Sequence, residues 1–216
     1  NFFNHVCRYF DNAGGISAFF RLHPLIEQDE LLHNFGEMLD IGPTVGIDLG
    51  LSVAEQVQQY RKGHQYDINK AKRKGVVCLH DLNGDYLDAF IDIYYQTMRR
   101  VQADDDYFFE RNYFFRLWDL LGDHLHLFVA LKDNAVISGA LFTLCNSIIQ
   151  YHLSGTHADY LSLAPSKLIL DRVRVWGNQI GARVFHLGGG VGGQKDGLFR
   201  FKAGFSDRTY RFKIWR

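Results

Sequence analysis

The chain has 216 residues, 47% of them hydrophobic and 15% aromatic, which excludes a disordered segment and fits a folded protein with a substantial core. Its 24 basic and 24 acidic residues cancel, so no whole-molecule field for nucleic acid or anionic membrane is expected, only local patches. Cys7, Cys78 and Cys145 are too few and too far apart for a disulfide framework and fit a reducing, cytoplasmic setting; no apolar run approaches the roughly 18 residues of a membrane helix, and no secretory h-region opens the chain. Residues 15–26 read as a strand that runs into a loop at Pro24, and 44–50 as a second short strand. Ser52 and Glu55 form the S-x-x-E pattern of a capping box. A helix is expected from about 53 to Gly63 and a second from 64 to 74, ending at Gly75. Residues 76–80 read as a strand. Residues 86–101 read as a helix, with Leu87, Phe90, Ile91 and Tyr94 at core spacing. The aromatic stretch 104–122 reads as one capped helix ending at a glycine.

Three strands follow in quick order, 125–131, 135–145 and 147–154, separated by Lys132-Asp133-Asn134 and by Asn146-Ser147. They make an antiparallel meander. Along the third, alternation puts Gln150, His152 and Ser154 on one face and Ile149, Tyr151 and Leu153 on the other. A loop, 155–165, leads into a helix with an apolar stripe of Ile169, Val173, Trp176 and Ile180 and a polar face of Lys167, Asp171, Arg174 and Asn178. Strands 182–187 and 208–215 close the chain.

Gly188, Gly190 and Gly193 spell G-x-G-x-x-G, the pattern of a dinucleotide phosphate cradle. That cradle opens a long helix inside a βαβ unit. Here 23 residues remain after Gly193, broken by Gly197 and Gly204. The glycines therefore read as a loop after a strand, where φ > 0 and close backbone approach are needed. A better anion site is the start of the 165–179 helix. Pro165 suits the first turn, and Ser166 and Lys167 follow beside free N–H groups at the positive end of the helix dipole. An ordinary surface helix start has the same residues.

"YHLSGT" (151–156), "APSKLIL" (164–170), "FHLGGG" (185–190) and "DGLFRFKAGFS" (196–206) together resemble the second lobe of FemAB-type peptidyltransferases, GNAT-fold proteins related to the methicillin-resistance factors. "FFRLHPL" (19–25), "VGIDL" (45–49) and "YRKGHQYDINKAKRKGV" (60–76) are similar to the end of the first lobe. The resemblance implies an α/β (α+β) fold: a GNAT-like mixed, largely antiparallel sheet flanked by helices. Residues 1–80 would be the remnant of a truncated first lobe and residues 81–216 the acyltransferase lobe. The chain begins "NFFNHV" without Met, in line with an earlier segment ahead of it.

The resemblance also implies an activity. An acyl or aminoacyl group, from acyl-CoA or aminoacyl-tRNA, would pass to an amine of a peptidoglycan-type precursor, nucleotide- or lipid-linked, or of a related glycoconjugate. No metal is expected. A non-catalytic protein binding such a precursor or a protein partner is the alternative. Transfer needs donors for a tetrahedral oxyanion and a route for the amine proton. Tyr151 or His152 would be the polar group nearest the reaction. His152 can take a proton at neutral pH, or be a satisfied core or edge histidine; His186 has the same two readings. Lys202, with Arg200 and Phe201, matches the family's F-K segment and would meet the acceptor or the developing charge. Ser154, Pro165, Ser166 and Lys167 would hold the donor. Arg61, Lys70, His186 and Gly189 would contact the acceptor. The 61–74 stretch, with six basic residues against Asp67, borders the cleft between lobes in the family; otherwise it is a solvated helix face. Asp104–Asp106 reads as helix-start chemistry, and His124 and His126, two apart on a strand, lack a third ligand for zinc.

Overall fold

The structure is a computed structural model that describes residues 2–32 and 36–216. In chain order it contains α1 (Phe2–Asn12), β1 (Phe20–Leu22), α2 (Asp29–Leu32), β2 (Met38–Asp48), α3 (Val53–Gln58), α4 (Lys62–Arg73), β3 (Val77–Asp81), α5 (Leu87–Arg100), α6 (Arg111–Leu121), β4 (Leu125–Lys132), β5 (Ala135–Cys145), β6 (Ile148–Thr156), α7 (Pro165–Gln179), β7 (Val184–Gly189), α8 (Gly197–Lys202) and β8 (Thr209–Trp215). The strands form one sheet of eight in the order β1-β8-β2-β7-β6-β5-β4-β3. Every pairing is antiparallel except β6 with β7. The expected α/β class, a largely antiparallel sheet flanked by helices, is the one observed. No helix among the described residues is long and apolar enough to cross a membrane.

Two apolar layers sandwich the sheet. On one face α4 and α7 bury Ile68, Ile169 and Val173 against Phe128, Phe142 and Phe185. On the other, α5 and α6 bury Phe90, Tyr94 and Phe114 against Leu127 and Leu141. Glycines let α5 and α7 approach closely. A Cβ at Gly155 would lie 2.8 Å from the Tyr94 nitrogen, and one at Gly177 2.7 Å from Leu49. The polar side of α7 does not face water. Arg174 is 3% and Asp171 8% exposed. Arg174 donates to Asp171 Oδ1 (3.0 Å), the Tyr60 hydroxyl (3.0 Å) and Gln56 Oε1 (3.2 Å), so α3 and the turn before α4 complete a buried polar network with it.

Local signals survive where the contact is local. Ser52 accepts from the Glu55 N–H while Glu55 accepts from the Ser52 N–H, the reciprocal capping box. Four boundaries differ, each for a tertiary reason. The break between α3 and α4 falls at 59–61 and not at Gly63, because Tyr60 turns into the buried network and the Arg61 N–H bonds Gly204 O at 2.9 Å. The 104–122 stretch is a 3-10 turn, Asp105–Tyr107, followed by α6. The Tyr94 and Tyr95 hydroxyls donate to Tyr107 O (2.8 Å) and Phe109 O (2.6 Å), taking carbonyls that a continuous helix would use. β2 starts at Met38, well before 44, because β8 pairs with it from Met38 onward, while β7 joins only from Thr44. The segment read as a strand over 15–26 pairs only at Phe20–Leu22, against the end of β8. His124 lies in a turn before β4, while His126 Nδ1 sits 3.2 Å from His80 Nε2 on β3. Among the described residues no three His, Cys, Asp or Glu are grouped to hold a metal.

Candidate active site where two parallel strands diverge

β6 and β7 pair through Ile148↔Val184, Ile149↔Phe185 and Gln150↔His186 and no further, although both strands continue. Side chains pin the last rung. His186 Nδ1 lies 2.5 Å from Gln150 Oε1 and its Nε2 2.8 Å from Thr44 Oγ1. The Nδ1 proton therefore goes to Gln150, and Nε2 accepts from the Thr44 hydroxyl. Just past this rung β6 bulges. Phe142 pairs with Tyr151 and Leu141 with Leu153, so His152 is the extra residue. A bulge bends its strand and raises its twist, which carries β6 away from β7. β7 in turn follows β2, whose backbone it meets so closely that a Cβ at Gly189 would lie 2.8 Å from Pro43 O.

The opening contains a buried cation. Lys202 projects from α8, is 8% exposed and donates to Gly189 O at 2.7 Å. Its Nζ lies 5.8 Å from the centre of the Tyr151 ring. Burial pushes its pKa down to about 8, with Asp196 pulling the other way. The group remains mainly an ammonium at pH 7, held among aromatic and carbonyl groups where a charge acts strongly. Tyr151 stacks on Phe142 (centroids 5.4 Å, 19° between planes) and donates its hydroxyl to Ser154 Oγ at 2.5 Å. Burial raises its phenol pKa, so it is a neutral donor at pH 7. An ammonium carries three N–H donors, and one directed at Gly189 leaves capacity for a substrate oxygen.

Residues 58–203, more than half of the chain, match the family model described as the acetyltransferase (GNAT) domain. The chain belongs to the GNAT acetyltransferase family. No curated protein sequence matches this GNAT chain significantly. Among solved structures it is similar to FemX, with TM-score 0.74 and 14% identity over 98% of this chain and 75% of FemX. It is also similar to the C-terminal domain of a putative lysylphosphatidylglycerol synthetase from Agrobacterium fabrum (TM-score 0.69, 13% identity, 97% of this chain and 71% of that one). The structure of L-PGS from Bacillus licheniformis gives TM-score 0.68 and 15% identity over 98% of this chain and 71% of that one. At such identities the likeness is one of fold, and it is the fold that the FemAB-type resemblance implied.

The GNAT fold gathers some of the residues singled out in the sequence and separates others. Tyr151, Ser154, Gly189 and Lys202 meet at the opening, with His186 at its base. Burial holds His186 down to about 3, with the His23 and Lys202 charges adding to the effect, and both its nitrogens have partners. His152 turns instead to α6, where its Nε2 lies 3.5 Å from the Tyr113 hydroxyl. Pro165 opens α7 behind Ala164, whose φ of 48° makes a left-handed entry with no side-chain cap. Ser166 and Lys167 are half-buried there. The Lys167 ammonium pairs with Asp67 at 2.6 Å, and Lys70 donates to Ser162 O at 3.0 Å. Arg61 donates to Arg200 O at 3.2 Å, and Phe201 O lies 2.9 Å from His64 Nε2. The glycine pattern is structural at each position. Gly188 and Gly193 have φ of +79° and +77°, and a Cβ at Gly190 would collide with Gln194 O and Asp196. The helix that follows, α8, has six residues and is capped by Asp196, which accepts from the Phe199 and Val191 N–H groups.

Thr44, Gln150 and His64 were not among the expected site residues. Gln150 carried a signal, as a polar residue within a buried strand next to Tyr151. Thr44 and His64 carried none, since their partners lie more than 130 positions away in the chain.

Proposed function

We propose that this GNAT chain transfers an acyl or aminoacyl group to an amine of a cell-envelope precursor, of peptidoglycan type or a related glycoconjugate, at the opening between β6 and β7. The observation that carries the reading is the Lys202 ammonium, buried beside Tyr151 where the sheet parts. In this reaction the amine nitrogen attacks the donor carbonyl carbon. The new C–N bond forms as the carbonyl π pair moves onto oxygen. Collapse of the tetrahedral adduct expels the thiolate of coenzyme A or the ribose oxygen of tRNA, and the proton lost by the nitrogen passes to that leaving group. Lys202 donates to the transient oxyanion, the point at which fixed donors lower a barrier most. Tyr151 walls the charge with its ring face.

The first turn of α7, Pro165 to Lys167, would take the donor's phosphate end through its N–H groups and dipole. Lys167 has its ammonium paired to Asp67 and its N–H bonded to Ala164 O at 3.0 Å, so the Ser166 N–H and the helix dipole would carry that contact. Arg61 and Lys70 would border the acceptor path. One neighbour is named as a putative lysylphosphatidylglycerol synthetase, which supports an aminoacyl cargo, whereas the family description supports acetyl. Both donor classes are intracellular molecules, in keeping with a cytoplasmic protein. The division into a first-lobe end, 1–80, and a transferase lobe, 81–216, belongs to the same reading; the family match stops at residue 203, and β8 returns to pair with β1 and β2.

The test is transfer to a panel of envelope precursors, with labelled acetyl-CoA and labelled aminoacyl-tRNA supplied separately. Turnover with one donor, lowered about 10²–10³-fold in Lys202→Ala, is the expected result. No turnover with either donor overturns the enzyme. Precursor binding that survives Lys202→Ala without transfer establishes the binding protein instead.

A further inference from the structure

α8 is six residues long, too short to hold itself together, yet it carries the lysine at the opening. The last carbonyls of any helix lack intrahelical donors. Here the following turn supplies two, Gly204 N–H to Phe201 O (3.1 Å) and Phe205 N–H to Lys202 O (3.0 Å), and the start of α4 adds more. The Arg61 guanidinium donates to Arg200 O at 3.2 Å and the Arg61 N–H to Gly204 O at 2.9 Å. His64 Nε2 lies 2.9 Å from Phe201 O; a carbonyl only accepts, so Nε2 carries the proton. The His64 ring stands edge-on to Phe205 with centroids 4.6 Å apart, and it fills the space a Cβ at Gly204 would need. Burial keeps the ring below its usual pKa, Lys167 and Arg61 reinforce this, and the Phe201 carbonyl and Asp67 oppose it. Lys202 is the next residue after Phe201. The backbone on either side of it, at Phe201 and Gly204, is bonded from the start of α4, and its head bonds Gly189 O on β7.

We propose that His64, helped by Arg61, is the positioning residue for Lys202: it clamps the end of α8 so that the ammonium stays in the opening, shut off from water. The consequence for transfer rests on the function proposed above, but the clamp itself is tested without it. A histidine that merely packs would cost stability on removal and leave the Lys202 environment as it was.

The measurement is the titration of Lys202 by NMR in protein labelled with 13C at the lysine ε carbon, the signal being assigned by its loss in Lys202→Arg. The groups facing Lys202 are Asp196, His186 and the Tyr151 ring, and none is altered by the variants. In the wild type the midpoint is expected near the value of about 8 that burial imposes. In His64→Leu it is expected to rise by about 1 unit or more toward the ordinary lysine value, as water reaches the ammonium. His64→Gln, which keeps an N–H donor, restores most of the shift. Arg61 is exposed, so Arg61→Met leaves the core intact and reads out even where His64→Leu does not fold; a smaller rise is expected. An unchanged midpoint in the folded variants overturns the proposal. If the midpoint moves while the wild type transfers nothing from any donor, the clamp stands and the transferase reading falls. Where transfer is present, His64→Leu lowers kcat and leaves the donor KM unchanged.

Discussion

Tyr151 and Ser154, three residues apart on one strand, meet through a 2.5 Å bond between their hydroxyls. Strict alternation puts residues i and i+3 on opposite faces. The bulge at His152 cancels one step, so that both face α7 while His152 faces α6. The ring of Tyr151 then serves two neighbours, Phe142 by stacking and Lys202 by its face. Tyr151→Phe is expected to cost about 0.5–1.5 kcal/mol, the net worth of one hydrogen bond. Tyr151→Ala is expected to cost about 3–5 kcal/mol, as for other buried aromatic truncations, and to slow transfer. Urea denaturation of the two variants separates hydroxyl from ring; equal losses would contradict this division of labour.

Lys202 acts as a cation in the proposed chemistry, so the rate should fall as pH climbs past its depressed pKa of about 8. An unburied lysine would hold its charge to about 10.4. The alkaline limb of the pH–rate profile reads this directly. Lys202→Ala is expected to lower kcat by about 10²–10³-fold, the size seen when one oxyanion donor is removed. A limb lying near the ordinary lysine value would exclude the buried ammonium as the acting group. The same depression makes stability increase with pH above about 8, because there the unfolded chain binds the proton that the folded one has lost.

The Asp171–Arg174 pair sits between α7, α3 and α4 with side chains only 11% and 4% exposed. Asp171→Leu leaves the guanidinium buried without its carboxylate and is expected to cost about 3–5 kcal/mol. Replacing both residues with leucine should cost less than either single change, because no stranded charge remains. Chemical denaturation of the singles and the double measures this; additive losses would mean that the ion pair is not the unit.

His126 is held down to about 4 by burial, with the His80 imidazole adding to the effect. Its unfolded value is about 6.5, so between these values the unfolded chain binds more protons than the folded one. Stability is therefore complete above about pH 6.5 and is lost as pH falls toward about 4. His126→Phe, an aromatic replacement beside Trp176 at 4.5 Å, should flatten the fall over that window. Thermal melts across the pH range decide it. An equally steep fall in the variant would assign the sensitivity to other groups, among them His186, which is depressed in the same direction.

Much of the architecture is written in short-range signals. The Ser52–Glu55 box, the three meander strands and the α7 start at Pro165 rest on contacts within a few residues, so periodicity and capping chemistry are enough to place them. The FemAB-type motifs pointed to Lys202 and Tyr151, and the fold brings these two together. What only the tertiary structure decided are the terms that depend on distant partners. A bulge is defined by the strand opposite, so the faces of Leu153 and Ser154 followed from β5 and not from alternation. Lys167 was free to face a phosphate until Asp67, a hundred positions earlier, drew near enough to pair with it. The opening between β6 and β7 likewise has no local sequence mark. It arises because Gln150 and His186 hold the last rung while the bulge turns one strand aside and β2 draws the other away.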